Sequence, residues 1–198
     1  MLRKIHRGSA VLLLLFIAVH LASHLVAFAG IEAHTQVLKT LRTFYRATAV
    51  EALLLGAVLA QIVTGSILVY RGRRTRYGFW PHLRAWSGIA LALFLLQHVS
   101  AVLVGRLFQG LDTNFYFASA VLQNALLKFY FYPYYFAGVT SVFVHLAAVV
   151  YLRRGNETRR RILAYGLITK GVLLALAILL CFGGAFYTIQ LPQAYVIK

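Results

Sequence analysis

Five apolar runs, each about as long as a bilayer is thick, constrain this chain more than anything else in it. They cover residues 8–30, 47–70, 85–105, 134–152 and 162–187 of a 198-residue chain. A helix needs ~20 apolar residues to cross a hydrocarbon core of ~30 Å. With 61% of its residues hydrophobic, the chain has no stretch left for a separate soluble domain. The reading is an all-α integral membrane protein, a single transmembrane domain over residues 1–198 built as a five-transmembrane-helix bundle.

Basic residues then set the orientation. The formal charge is +16, which in a soluble protein would suggest nucleic acid, but here the charges follow the loops. Arg3, Lys4 and Arg7 precede the first run, Arg71, Arg73, Arg74, Arg76 and Arg84 follow the second, and Arg153, Arg154, Arg159, Arg160 and Arg161 follow the fourth. The opposite side keeps Lys39, Arg42, Arg46, Arg106, Lys128 and Lys198. The positive-inside rule then predicts an inner N-terminus and an outer C-terminus. Anionic lipid headgroups are the partner such clusters imply, not nucleic acid, and the location expected is the bacterial inner (cytoplasmic) membrane, crossed several times. The first run is long and carries two histidines, so it reads as a retained span and not as a cleaved signal peptide. A lone Cys181 excludes an intramolecular disulfide and a cysteine metal cluster.

Between the spans, residues 31–46 form a short surface helix on the membrane, with His34 in a solvated position. Glu51 reaches the outer headgroups or pairs with Arg46. Gln61 and Thr64 sit in the middle of the second span, and Gly65 lets another helix or a flat ligand come close. Residues 107–133 read as an outer interfacial element in which Asp112, Thr113 and Asn114 make a cap, and Pro133 marks the start of the fourth helix. No internal proline breaks a span, which argues against the discontinuous helices of transporter sites.

The functional signal lies in four histidines within the spans, His20, His24, His98 and His145. Ionisable groups at membrane depth mark functional sites by default. Two of them sit in matching contexts: with His20 aligned on His98, Ser9 meets Ser87, Leu13 meets Leu91, Leu15 and Phe16 meet Leu93 and Phe94, and Leu25 and Val26 meet Leu103 and Val104. Carboxylates are almost absent, so hydrolytic triads and di-iron sites lack their ligands and no hydrolytic or metal-catalytic constellation is present. Bis-imidazole ligation of a haem needs only two histidines at equal depth on facing helices. The competing reading is that each imidazole bonds a neighbouring helix, as polar residues in bundles do; the chain is then a haem-free scaffold or a subunit binding lipid or a small molecule.

Arg84-x-x-Ser87-Gly88 leading to Leu93-Phe94-x-x-x-His98, and a later helix with His145 ahead of basic residues, resemble the transmembrane cytochrome b anchors of succinate dehydrogenase and fumarate reductase. The resemblance spans the helices from Arg3 to Arg154. It implies a helical bundle holding haem b between histidine pairs and passing electrons between a quinone and cytoplasmic flavin and iron-sulfur subunits. It also implies His20 or His24 with His98 as one axial pair, and His145 as a ligand of a second, inner haem iron. The second span offers Gln61 where that pattern has a histidine, so one haem is expected, with Gln61 as a hydrogen-bond donor facing His145 in an inner haem or quinone site beside Lys170, whose amine meets a ligand's acidic group. The segments 111–117 and 129–136 depart from the anchor pattern and are similar to runs in uncharacterised bacterial membrane proteins.

Depth decides between His20 and His24. His20 lies thirteen residues past Arg7 and His98 fourteen past Arg84, whereas His24 lies seventeen past Arg7. The offset from His98 is ~1.5 Å for His20 and ~4.5 Å for His24 at 1.5 Å per residue, so His20 is the expected partner and His24 the reserve.

Overall fold

The computed structural model describes residues 1–197; Lys198, counted among the outer charges, lies outside the described residues. The chain is helical throughout. Helix α1 runs over Leu2–Leu25 and tightens into a 3-10 turn at Val26–Ala29, followed by α2 (Ile31–Tyr45), α3 (Thr48–Arg71), α4 (Phe79–Leu107), α5 (Phe115–Gln123), α6 (Lys128–Tyr151) and α7 (Glu157–Phe182). Among the described residues, α1 with its 3-10 turn, α3, α4, α6 and α7 are long and apolar enough to cross a membrane. Their outward faces are apolar: Val11, Leu15, Leu59, Leu93 and Leu173 are all exposed. In water such a surface would drive association, and in lipid it is the solvated face. The chain is a multi-pass helical bundle.

Local chemistry explains the breaks. Gly30 takes φ 113° between the 3-10 turn and α2, a backbone region that side chains with a Cβ avoid. Asn114 caps α5 by accepting from the amides of Tyr116 and Phe117, and Asn156 caps α7 by accepting from Arg159 N, the ordinary role of a side-chain carbonyl at a helix start.

The structure departs from the sequence reading at α6, α7 and α2. Helix α6 begins at Lys128, not at 134, because Asn124 accepts from the amides of Leu126 and Leu127 and starts the turn early. Pro133 therefore sits inside the helix, which continues past it; in the second turn its missing N–H removes one bond only. Helix α7 ends at Phe182, and the chain beyond folds over the bundle: Tyr187 Oη donates to Ala27 O at 2.8 Å and Tyr195 Oη to Asp112 O at 2.8 Å. Helix α2 exists as read, but His34 and Leu38 on it are buried, His34 against Phe115 and Phe182, so it is a packed helix and not one floating on the surface.

The spans form a ring. Helix α1 packs on α3, α3 on α4, α4 on α6, α6 on α7, and α7 closes back on α1. Helices α1 and α4 do not pack on one another. Between them lies a cavity of about 2170 Å³. The ring has an N-terminal end, where α1, α4 and α7 start, and a far end covered by α2, α5 and the C-terminal segment.

Candidate functional site

The two helices that carry the repeated sequence are the walls that the cavity keeps apart. On α1, Phe16 stacks on His20 with ring centres 5.4 Å apart; on α4, Phe94 stacks on His98 at 5.2 Å. One helical turn places residues i and i+4 on one face, so the repeated Leu-Phe-x-x-x-His becomes two phenyl-backed imidazoles. Across the cavity, the centres of His20 and His98 are 6.2 Å apart and their planes are inclined at 67°. Phe94 is itself held by Gly138 of α6, where a methyl group would overlap its ring.

These two imidazoles differ in their bonding. His20 is the last member of a chain: His34 Nε2 lies 3.3 Å from His24 Nδ1, and His24 Nε2 lies 3.2 Å from His20 Nε2. A neutral imidazole donates from one nitrogen and accepts at the other, so His24 uses both. His98 lines the cavity with Phe94 and His20 as ring neighbours, and it makes no hydrogen bond among the described residues.

Nearer the N-terminal end the cavity has a second pair. His145 Nδ1 donates to Arg84 O at 3.1 Å, with Ser87 Oγ at 3.2 Å, and Gly88 lets the ring approach, its absent Cβ leaving 3.3 Å to His145 Cε1. On the α1 side, His6 Nδ1 lies 2.9 Å from Thr64 Oγ1. Thr64 spends its own hydroxyl proton on Ala60 O, so Thr64 accepts and His6 Nδ1 donates. Both rings are thereby fixed as the tautomer with a bare Nε2, the orienting bond that metal-ligating histidines make. Both His6 and His145 line the cavity.

The structure redistributes the residues read from sequence. Gln61 lines the cavity, but its amide donates to His6 O at 2.6 Å and Ser9 Oγ at 2.7 Å; it supports α1 instead of facing His145. Lys170 is exposed on α7 and does not line the cavity. Gly65 admits His6, whose Cε1 would lie 3.5 Å from an added Cβ. His34, read as solvated, is fully buried, and burial, then the charge of Arg42, lowers its pKa to about 4. Glu51 pairs with Arg106 and not Arg46. Of the three candidate capping residues, Asn114 caps α5, Asp112 pairs with Arg42, and Thr113 Oγ1 accepts from Arg46. The sequence reading missed His6. Its signal was present: fourteen residues from His6 to His20 is close to four full turns, so both share one face of α1 ~21 Å apart.

Among the described residues, no group of three or more His, Cys, Asp or Glu side chains is arranged to hold a bare metal ion. A haem iron asks less, since the porphyrin supplies four ligands and the protein two. Two imidazoles on separate helices are the ligands such an iron would take, and His20 and His98 stand with ring centres 6.2 Å apart on the cavity wall. Ligation through His20 Nε2 would exchange its bond with His24 for one with the metal. The cavity exceeds the ~300–1,000 Å³ of ordinary small-molecule pockets, so space is not limiting. The residues present fit the group. Comparison of the chain with protein-family models, with curated proteins and with solved structures finds no match in any of the three.

Proposed function

We propose that the protein is a haem b-binding membrane electron-transfer protein, similar in plan to the quinone-linked cytochrome b anchors of succinate dehydrogenase and fumarate reductase. The observation that carries this reading is His98: a half-buried imidazole that makes no hydrogen bond among the described residues, backed by the Phe94 ring and 6.2 Å from the His20 ring across a cavity between helices whose backbones do not pack on one another. A histidine serving only to tie helices together would have a partner. His20 and His98 would hold the haem, and the group itself supplies a one-electron couple when bound. The protein's share is to fix both rings by Phe16 and Phe94, to exclude water with the apolar walls, and to keep His24 as a hydrogen-bonding support. His6 and His145, each tied through Nδ1 to a neighbouring helix, would be the residues to hold a second such group.

The surroundings belong to the same proposal. With the positive-inside rule, the N-terminal end faces the cytoplasm of a bacterial inner membrane and the α2 end faces out. Cytoplasmic flavin and iron-sulfur subunits would dock at the arginine-rich end, and a quinone would exchange electrons from the bilayer. A reporter fused after Lys198 should be active only outside the cytoplasm; cytoplasmic activity overturns the orientation.

The reading is tested by colour. Protein made with ample haem should be red and show the reduced-minus-oxidised spectrum of a low-spin b haem. A colourless preparation that stays unchanged when haem is added sinks the proposal. The second reading, a haem-free scaffold or a subunit binding lipid or a small molecule, draws on the hydrogen bonds that His6, His24 and His145 already make within the bundle. It gains if His98→Ala and His145→Ala leave both folding and function intact.

A further inference from the structure

The far mouth of the cavity gathers positive charge that the protein does not neutralise. Arg42, Arg46 and Arg106 all line it, with Glu51 the one carboxylate among the lining residues. Arg106 is paired with Glu51, and Arg42 donates to Asp112 Oδ1 at 2.6 Å and to Thr113 O at 2.6 Å. Arg46 has no carboxylate partner among the described residues; its contact is Thr113 Oγ1 at 2.8 Å. Three guanidiniums therefore share two carboxylates. The Arg42 side chain is only 10% exposed, and its Nε is buried without a hydrogen-bond partner. Burial, followed by the charges of Arg42 and Arg106, lowers the pKa of Arg46. A protein holding like charges this close, with a buried donor unused, is arranged for an anion.

Position ties the cluster to the imidazoles. Tyr45, the last residue of α2 and the one before Arg46, meets Phe16 edge-on with ring centres 5.5 Å apart, and Phe16 is the ring stacked on His20. A ligand spanning His20 and His98 would therefore end near these guanidiniums.

We propose that Arg42, Arg46 and Arg106 form an anion subsite that receives the carboxylate end of the ligand held in the cavity. The inference rests on the haem reading for the identity of that ligand, but not for the chemistry of the subsite. A lipid phosphate is the other source of the same anionic chemistry, and Arg's planar fork suits either.

The test uses the full chain in detergent with metal-free protoporphyrin IX, whose fluorescence reports binding without any axial ligation, and its dimethyl ester, which lacks the charges. The diacid should bind about tenfold more tightly than the ester or better, as a charge-assisted pair warrants. Arg46→Gln should bring the two within about twofold, and Arg46→Lys should restore part of the preference. Equal binding of acid and ester by the natural chain, or an undiminished preference in Arg46→Gln, overturns the carboxylate assignment. The lipid source is separated by native mass spectrometry after reconstitution in phosphatidylglycerol or phosphatidylcholine. Selective retention of phosphatidylglycerol that Arg46→Gln removes, without an acid-over-ester preference, assigns the subsite to lipid and overturns the ligand-carboxylate proposal. Failure of the haem reading looks different: a diacid preference together with haem that stays high-spin keeps the subsite and removes the axial pair.

Discussion

The two halves of the cavity hold their imidazoles by opposite means. Near the N-terminal end, His6 and His145 are each tied through Nδ1 to an acceptor on a neighbouring helix, Thr64 Oγ1 and Arg84 O, and leave Nε2 bare. At the far end His20 is tied through Nε2 to another imidazole, and His98 is tied to nothing but ring contacts. The first pair is oriented before any ligand arrives. In the second, His20 Nε2 is already engaged by His24, so a ligand proposed for His20 would compete with that bond.

The largest way to break this comparison is to remove the ligands. His98→Ala and His20→Ala should each abolish the low-spin signal of the far site, and His145→Ala and His6→Ala that of the N-terminal site, each leaving the other site's signal in place. His24→Ala should leave the far signal nearly intact or tighten binding, because it frees His20 Nε2. If His24→Ala abolishes the signal and His20→Ala does not, the axial assignment reverses.

Smaller in effect is removal of the orienting bond. Loss of such a support costs a metal site about 10- to 100-fold in affinity, so Thr64→Val should weaken haem retention near His6 by that factor and leave the far site untouched. Equal weakening at both sites would mean that the two are not independently held.

Glycine contacts sharpen the comparison further. Gly138→Ala should overpack against Phe94 and destabilise the protein by about 1–3 kcal/mol, read as a lower unfolding midpoint in detergent with a disturbed far site. At Gly88 the added methyl meets His145 Cε1 at 3.3 Å, a contact that a few tenths of an ångström relieves. Gly88→Ala should therefore cost less than Gly138→Ala; the reverse order would show that α4 and α6 do not pack as described.

The smallest expected effect is a pH dependence at His34. Its pKa is lowered from 6.5 to about 4, so the unfolded chain binds the proton more readily than the folded one. Stability is then highest above pH 6.5, falls as pH drops from 6.5 toward 4, and levels off below. The groups facing it are His24 from α1 and Arg42 from its own helix, with Phe115 and Phe182 covering the rest. Between pH 7 and pH 6 the loss is under about 1 kcal/mol. His34→Phe should flatten that slope in a melting series, and an unchanged slope would assign the dependence to other groups.

The sequence by itself determined the number and approximate limits of the spans, because twenty consecutive apolar residues have few other places to go. It also determined that His20 and His98 share a phenyl-backed position, since the repeat carries Phe16 and Phe94 at the same spacing and a helix turns that spacing into a stack. Tertiary structure decided the rest. Whether His34 is solvated or buried depends on α5 and α7 closing over α2, contacts made by Phe115 and Phe182 from distant parts of the chain. Whether Gln61 faces His145 or bonds α1 depends on how α1 and α3 rotate about their axes, and residue counting gives depth but not rotation. The pairing of Glu51 with Arg106 in place of Arg46 has the same origin. Depth along a helix is local and additive at 1.5 Å per residue. The face a side chain presents is set by which neighbour packs against it, and that choice belongs to the assembled ring.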